Sequence, residues 1–495
     1  MELTVKRQLL TLLISLGLMA PNLVSASEPD LEPKLELEAC FVLGVKSKVL
    51  CGTLDVAENP DVEMSDDNKL SLNVVVLPKI KEQSKELPVM FLAGGPGQAA
   101  TELANALNMA MSDIRQEHDI ILVDQRGTGK SNGLLCDTAE YVDPLVVDTD
   151  SLNLQQEVND CLTSFSDFHL PSYNTYQSIE DFEAVRQALG YQKVHIFGGS
   201  YGTRAGFAYL KNHPESIQTA TLDSNAPMEL IVGFFGKTSE RAFDYLVEDC
   251  KAHEYCNKSF PNLKQDYLNL LSKLEKPIKQ SIYHPITGLK VEIVLTKSKV
   301  TETLRSTLYA LSSRQLLPYI VNASANGDYR PLAAMISQSS GSDEHAPGSL
   351  YTGLTMNIIC NEDMPRAVES DFKNDADNYF NGELGFTNFT DVCKYWPKWQ
   401  APEDFAEPVT VDVPVLLFSG KYDPVTPPAY GEMADKSLAN SKHVVIKNGS
   451  HVASLRMCMD AVKDFMQKGS FDEVDFSCAE KSVPNLFFTN LNQLH

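Results

Sequence analysis

Val194-His195-Ile196-Phe197-Gly198-Gly199-Ser200-Tyr201-Gly202-Thr203-Arg204-Ala205-Gly206-Phe207-Ala208-Tyr209-Leu210 is the stretch on which the fold turns. A β-branched and aromatic run leads into G-x-S-x-G and then into an alanine-rich segment, so the pattern predicts strand, tight turn and helix. A serine at the centre of such a turn is held in a strained backbone conformation that lifts its hydroxyl clear of the sheet. Ser200 is therefore the candidate nucleophile. A Cβ at Gly198 or Gly202 would collide with the neighbouring turn backbone, and Gly206 lets the helix lie close to the strand. The pattern also arises by composition in a chain with 27 glycines, so its weight depends on partners found elsewhere.

Outward from this stretch, strands alternate with helices. Toward the N-terminus, residues 40–57 and 70–77 read as consecutive antiparallel strands at the leading edge of a sheet. Residues 88–92 form a buried strand ending in Ala93-Gly94-Gly95-Pro96-Gly97, and 119–123 another ending in Asp124-Gln125-Arg126-Gly127-Thr128-Gly129-Lys130-Ser131. A helix is expected over 178–190, with Ile179, Phe182, Val185 and Leu189 on one face, and a strand over 219–223. This spacing implies a mostly parallel, doubly wound sheet. From about 228 to 407 strand signals are sparse apart from 290–295, and helical periodicities dominate around 238–251, 262–274, 298–324 and 365–380. That segment reads as a mainly helical cap inserted after a core strand. The core resumes with 413–420, followed by Tyr422-Asp423-Pro424-Val425-Thr426-Pro427, a helix at 428–439, a strand at 442–446, the loop Asn448-Gly449-Ser450-His451 and a closing helix at 454–467.

An elbow serine on such a sheet, beneath a cap, is the α/β-hydrolase architecture. Its chemistry needs a base to take the hydroxyl proton and an acid to hold that base, in the chain order Ser, Asp or Glu, His, each on a loop after a strand. Asp423 and His451 fit that order and placement. Asp223, after the preceding strand, is the competing acid, and His195 is expected to be packed within the nucleophile strand. An oxyanion hole is also required. The Tyr201 N–H supplies one donor by position, and Gly95 is the expected second, with Gly97 as the fallback, since Pro96 has no N–H.

Charge and cysteine content bound the rest. A formal charge of −24 argues against nucleic acid, whose phosphates need clustered Lys and Arg, and against adhesion to an anionic lipid surface. Lys6-Arg7, an apolar run over 9–19 and Val24-Ser25-Ala26 form a signal peptide with cleavage expected after Ala26. The run is too short to span a bilayer, and no later stretch is long and apolar enough, so an exported protein, periplasmic or extracellular and free of the membrane once processed, is expected. All ten cysteines lie after that point in five close pairs, so disulfides between neighbours in order are expected, although the count alone allows hundreds of pairings. No C-x-x-C occurs and no His sits at ligand spacing beside the cysteines, so neither a metal nor another cofactor is expected. The expected division is signal peptide 1–26, first part of the core 27–227, cap 228–407, and second part of the core with a C-terminal tail 408–495.

Gly94-Gly95-Pro96-Gly97, Asp124-Gln125-Arg126-Gly127-Thr128-Gly129-Lys130-Ser131, Gly198-Gly199-Ser200-Tyr201-Gly202 and Asp423-Pro424-Val425-Thr426-Pro427 together resemble the prolyl aminopeptidase and tripeptidyl aminopeptidase family of α/β-hydrolases. The resemblance covers roughly 40–228 and 408–465, and the exported, cysteine-containing chain is more similar to the tripeptidyl aminopeptidase branch. Ala93 departs from the His that many prolyl aminopeptidases carry before the glycines. The resemblance implies an exported serine exopeptidase that removes residues from the free N-terminus of peptides through an acyl-enzyme on Ser200. It also implies a cap carboxylate for the substrate ammonium. Within Cys360-Asn361-Glu362-Asp363-Met364-Pro365, Glu362 is the expected partner and Asp363 the second choice, the alternative being ordinary surface carboxylates. A carboxylesterase on the same fold is the alternative function. Arg126 is expected to hold its own loop.

Overall fold

The apolar runs become one nine-stranded sheet in the computed structural model, which describes residues 35–136, 143–340, 349–481, 486–490 and 493–494. The expected signal peptide and its cleavage site at Ala26 lie outside the described residues. The strands are β1 (Glu38–Cys40), β2 (Val49–Ala57), β3 (Lys69–Leu77), β4 (Val89–Leu92), β5 (Ile120–Val123), β6 (Val194–Gly199) and β7 (Ile217–Asp223). A separate hairpin, β8 (Ile278–Tyr283) with β9 (Lys290–Leu295), precedes β10 (Val415–Gly420) and β11 (Ser441–Ile446). The sheet order is β1-β2-β3-β5-β4-β6-β7-β10-β11. β1, β2, β3 and β5 pair antiparallel, and everything from β5 to β11 pairs parallel. Strands β4, β5, β6 and β10 are buried at every residue, because helices cover both faces of the parallel part.

Helix Thr175–Ala188 buries Ile179, Phe182 and Val185, the face expected from the sequence. The elbow helix Tyr201–Asn212 is buried without a break from Tyr201 to Leu210. It is therefore enclosed on all sides rather than amphipathic. The segment between β7 and β10 is helical apart from β8 and β9. β8 was not expected from the sequence: buried or half-buried residues alternate with exposed ones, so it carries no continuous apolar run. The helical stretch expected over 298–324 is broken into Lys297–Thr307, Leu311–Arg314 and Leu317–Ala325, the last starting with Pro318 in its first turn.

Two apolar cores divide this segment between them. Phe243, Leu270, Ile293, Leu304, Val321 and Leu332 form a core of their own, joined by Leu145 and Phe487 from outside the segment. Leu354, Ile358, Trp396 and Phe405 instead pack into the main core with Ile196, Phe207 and Leu222. The later part of the segment thus reaches the sheet directly, which brings residues 352–366 close to the elbow helix. Five disulfides, Cys40–Cys51, Cys136–Cys161, Cys250–Cys256, Cys360–Cys393 and Cys458–Cys478, join each cysteine to its neighbour in order. No helix among the described residues is long and apolar enough to cross a membrane.

Candidate active site

Ser200 stands between β6 and the elbow helix at φ 57°, ψ −126°, a conformation that L-residues rarely adopt. Its surroundings leave no slack to relax that strain. The Ser200 N–H donates to the Asp223 carbonyl at 3.0 Å, and its carbonyl accepts from the Thr203 N–H at 2.8 Å and the Thr203 hydroxyl at 2.6 Å. A Cβ at Gly198 would lie 2.4 Å from the Gly202 carbonyl oxygen. One at Gly202 would lie 2.0 Å from the Leu92 carbonyl oxygen, so the contact that demands glycine there comes from β4 rather than from the turn itself.

Asp423 and His451 meet as the sequence order suggests. Asp423 Oδ2 lies 2.8 Å from His451 Nδ1. The same oxygen accepts from the hydroxyls of Ser224 and Thr426, each at 2.8 Å, and Oδ1 accepts from the Val425 and Thr426 N–H groups, each at 2.9 Å. Burial alone would raise this carboxyl, but His451 and the hydrogen bonds overcome it and hold Asp423 below the usual carboxylate range. Asp223, the competing acid, does not reach the imidazole. Its Oδ2 accepts from the Ser454 N–H at 2.7 Å, and burial pushes its carboxyl up to about 6.

His451 is also gripped from above. Its N–H donates to the Tyr309 carbonyl at 3.1 Å, and the Tyr309 ring stands edge-on to the imidazole with centroids 4.8 Å apart. The Val452 N–H donates to the Ser224 hydroxyl at 2.8 Å, and a Cβ at Gly199 would sit 3.2 Å from Val452 Cγ1. The loop after β11 therefore lies directly over the elbow. Ser200 and His451 line one cavity of about 780 Å³, whose walls include Glu302, Arg305, Tyr309, Leu350 and Arg456. A smaller cavity of about 50 Å³, lined by Gly95, Ser200, Tyr201, Leu230, Val232, Phe235, Tyr309 and Tyr430, opens on the other side of the serine.

The candidate oxyanion donors line this second cavity. Gly95 has φ 111°, accessible to glycine but strained for other residues, and a Cβ there would lie 2.6 Å from the Gly97 nitrogen. Among the described residues, neither the Gly95 nor the Tyr201 N–H has a hydrogen-bond partner. Gly97 lines neither cavity.

Glu362 and Asp363 are placed differently from the expectation. Both are fully buried, neither lines a cavity that contains Ser200, and both have their oxygens turned to the protein. Glu362 accepts from the Thr175 N–H at 2.7 Å and the Thr175 hydroxyl at 2.6 Å, at the first turn of helix Thr175–Ala188. Asp363 Oδ1 accepts from Arg204 at 2.7 Å, the Val232 N–H at 2.9 Å and Arg366 at 3.0 Å. They belong to the part of the segment that packs on the main core, so they face the elbow helix from its buried side. The one carboxylate among the described residues lining either cavity is Glu302, which is paired with Arg305.

Arg126 donates to both Asp181 oxygens at 2.7 Å and to the Glu58 carbonyl at 2.8 Å, which ties the loop after β5 to helix Thr175–Ala188 and to the end of β2. His195 is packed: its Nδ1 lies 2.7 Å from the Thr219 hydroxyl, and burial beside His118 lowers it to about 4. Ser224, Thr426 and Tyr309 support the site without having been singled out from the sequence. Thr426 lies inside the Asp423-to-Pro427 string, whereas Ser224 and Tyr309 carry no local mark.

Comparison with known proteins agrees with this geometry. Residues 88–456 match the family described as alpha/beta hydrolase fold. The chain is 23% identical over 442 residues to the provisionally named hydrolase YuaR of Escherichia coli (strain K12), covering 86% of this chain and 88% of that protein. It is 24% identical over 438 residues to the serine protease Hip1 of Mycobacterium tuberculosis (strain ATCC 25618 / H37Rv), covering 81% and 82%. A shorter match, 30% identical over 137 residues, links 28% of this chain to 32% of the proline iminopeptidase of Neisseria gonorrhoeae.

Proposed function

The chain belongs to the alpha/beta hydrolase fold family, and from that premise we propose that it is an exported serine peptidase that cleaves near the free N-terminus of peptides through an acyl-enzyme on Ser200. The observation that carries this is the 2.8 Å contact between the buried Asp423 and His451, whose imidazole lines the same cavity as the strained Ser200. Asp423, kept ionised by its donors, fixes the proton of the imidazole on Nδ1 and stabilises the cation that forms when Nε2 takes the serine proton. Ser200 attacks the carbonyl, and the Tyr201 and Gly95 N–H groups receive the developing oxyanion. His451 then protonates the leaving amine, and water attacking the acyl-enzyme by the same route restores the serine.

Peptide substrates are supported by the 780 Å³ cavity and by the names of the relatives, serine protease and proline iminopeptidase. The departing nitrogen lies beside His451, whose imidazole must reach it, and the acyl portion, which carries the free ammonium, extends along the same large cavity toward Glu302. Recognition of the substrate ammonium falls to Glu302, the carboxylate at the cavity wall, in place of Glu362 or Asp363. Export is supported by five disulfides, which persist in oxidising compartments. Ester hydrolysis is the second reading, favoured by the absence of any carboxylate among the described residues lining the small cavity.

The test is mass spectrometry of products from matched peptides with free and acetylated N-termini, alongside a simple aryl ester. Cleavage confined to free-amine peptides, and its loss in Ser200→Ala, is expected. Ester hydrolysis without peptide cleavage would move the protein to the second reading. Full activity in Ser200→Ala would remove the serine mechanism.

A further inference from the structure

Glu362 and Gln125 were each part of a conspicuous motif, yet neither touches the cavities around Ser200. They are instead the two ends of one buried hydrogen-bond chain that passes through the side chain of Tyr201. The Gln125 side-chain amide lies 3.3 Å from the Tyr201 hydroxyl, and that hydroxyl lies 2.8 Å from Thr175 Oγ1. Thr175 Oγ1 lies 2.6 Å from Glu362 Oε2, and Glu362 Oε1 accepts the Thr175 N–H at 2.7 Å. Every member is at most 7% exposed.

Donor arithmetic fixes the direction of the chain. Above its raised titration range Glu362 is a carboxylate with no proton to give, so there Thr175 must spend its single hydroxyl proton on it. The Thr175 oxygen then accepts from Tyr201, and the Tyr201 oxygen accepts from the Gln125 amide, which has protons to give. Each hydroxyl is both donor and acceptor, and none is left with a choice. The far end is held by a carboxylate seated on the first turn of helix Thr175–Ala188, where the helix dipole favours negative charge. Gln125 is fixed in turn by donating to the Ser178 hydroxyl at 2.9 Å on the same helix.

We infer that Glu362, Thr175 and Gln125 are positioning residues for the oxyanion hole, acting through the Tyr201 ring to aim the Tyr201 backbone N–H. This rests on the serine-hydrolase reading above and extends it to residues that never meet the substrate. The geometry explains why the first residue of a buried helix is a tyrosine: a phenol is long enough to carry the constraint from the elbow to the neighbouring helix. It also gives the D-Q-R-G string two jobs in one loop, Arg126 locking Asp181 while Gln125 locks Tyr201.

The experiment uses the full chain with Thr175→Val, Thr175→Ser and Glu362→Gln. The fraction of competent sites is counted by fluorophosphonate labelling, and kcat and KM are taken per labelled site with the best substrate found above. An oxyanion donor is worth roughly 10²- to 10³-fold, so misaiming one should cost about 10-fold or more in kcat, with KM within about twofold. Thr175→Val and Glu362→Gln should show that loss, and Thr175→Ser, which keeps the hydroxyl, should recover it. A tetrahedral-adduct inhibitor such as a peptidyl trifluoromethyl ketone should weaken in parallel with kcat. If the chain merely stabilised the fold, the labelled fraction would fall while kcat per labelled site stayed unchanged, and the inference would be lost. A rise in KM for free-amine substrates alone would also overturn it, by returning Glu362 to the ammonium. Failure of the native protein to label at Ser200 would be a different failure, that of the serine mechanism itself, and would take this inference with it.

Discussion

Asp423 accepts five hydrogen bonds from Ser224, Thr426 (hydroxyl and N–H), Val425 and His451, and this is what makes a fully buried carboxylate tolerable. Its lowered value means that its charge, and the stability it confers, is present above the ordinary carboxylate range and is lost only as pH falls through that lowered value. Asp423→Asn keeps the shape but lets His451 take the wrong tautomer. We expect kcat to fall roughly 10³- to 10⁴-fold, and the melting temperature near neutral pH to fall with the loss of the charge-assisted hydrogen bonds. Retained kcat would pass the acid's role to Asp223.

Glu362 carries the opposite sign. Burial raises its carboxyl from 4.5 to about 7, against the Thr175 hydrogen bonds, with Asp363, Arg366, Arg204, Tyr201 and Tyr176 as the charged or titratable groups facing it. Between those values the folded chain holds a proton that the unfolded chain has released, so stability falls as pH rises through the window. Glu362→Gln cannot ionise. The loss of melting temperature between about pH 5 and about pH 7.5 should shrink in that variant, measured by thermal scans. A loss of unchanged size would show that Glu362 titrates like an exposed carboxyl.

At the scale of elements, the elbow helix is fixed over its first turn. Ser200 is strained at its start, and one turn later Arg204 forms a buried 2.7 Å ion pair with Asp363, on the segment that follows helix Thr352–Ile358. Arg204 also donates to the Leu230 carbonyl, and Asp363 accepts from the N–H of Val232, both residues of the small cavity's wall. Removing Asp363 leaves the Arg204 guanidinium buried without its counter-charge. Asp363→Ala should therefore cost about 3–5 kcal/mol in urea unfolding, whereas Glu302→Ala, which breaks an exposed pair, should cost under about 1 kcal/mol. Equal costs would mean that the Arg204 pair is solvated in solution. The same comparison separates structure from recognition, because Glu302→Ala should impair free-amine substrates while leaving the fold alone.

At the scale of the whole molecule, the later part of the helical segment, which packs on the main core, is cross-linked within itself by the Cys360–Cys393 disulfide. Both sulfurs belong to residues buried in the main core, beside the carboxylates that brace the elbow helix. Opening a loop of 33 residues should cost about 2–4 kcal/mol. Replacing both cysteines with serine should lower the melting temperature and also reduce the fluorophosphonate-competent fraction. A lower melting temperature with every site still competent would uncouple the bond from the site.

The sequence by itself determined most of the elements and singled out the candidate reacting groups. Strand-turn-helix periodicity around Ser200, the loop position of Asp423 and His451, and the glycines at 95 and 198 were legible because each follows from a local constraint: a β-branched run, a proline, a turn too tight for a Cβ. Five neighbouring cysteine pairs were legible for the same reason, since short separations place sulfurs within reach. Only the tertiary structure decided what depends on neighbours remote in the chain. β5 lies outside β4, Tyr309 closes over His451, and Glu362 turns away from the cavity to Thr175, 187 residues earlier. A carboxylate looks alike in sequence whether it meets a substrate ammonium or a helix N-terminus, and burial, which the local pattern does not encode, makes the choice.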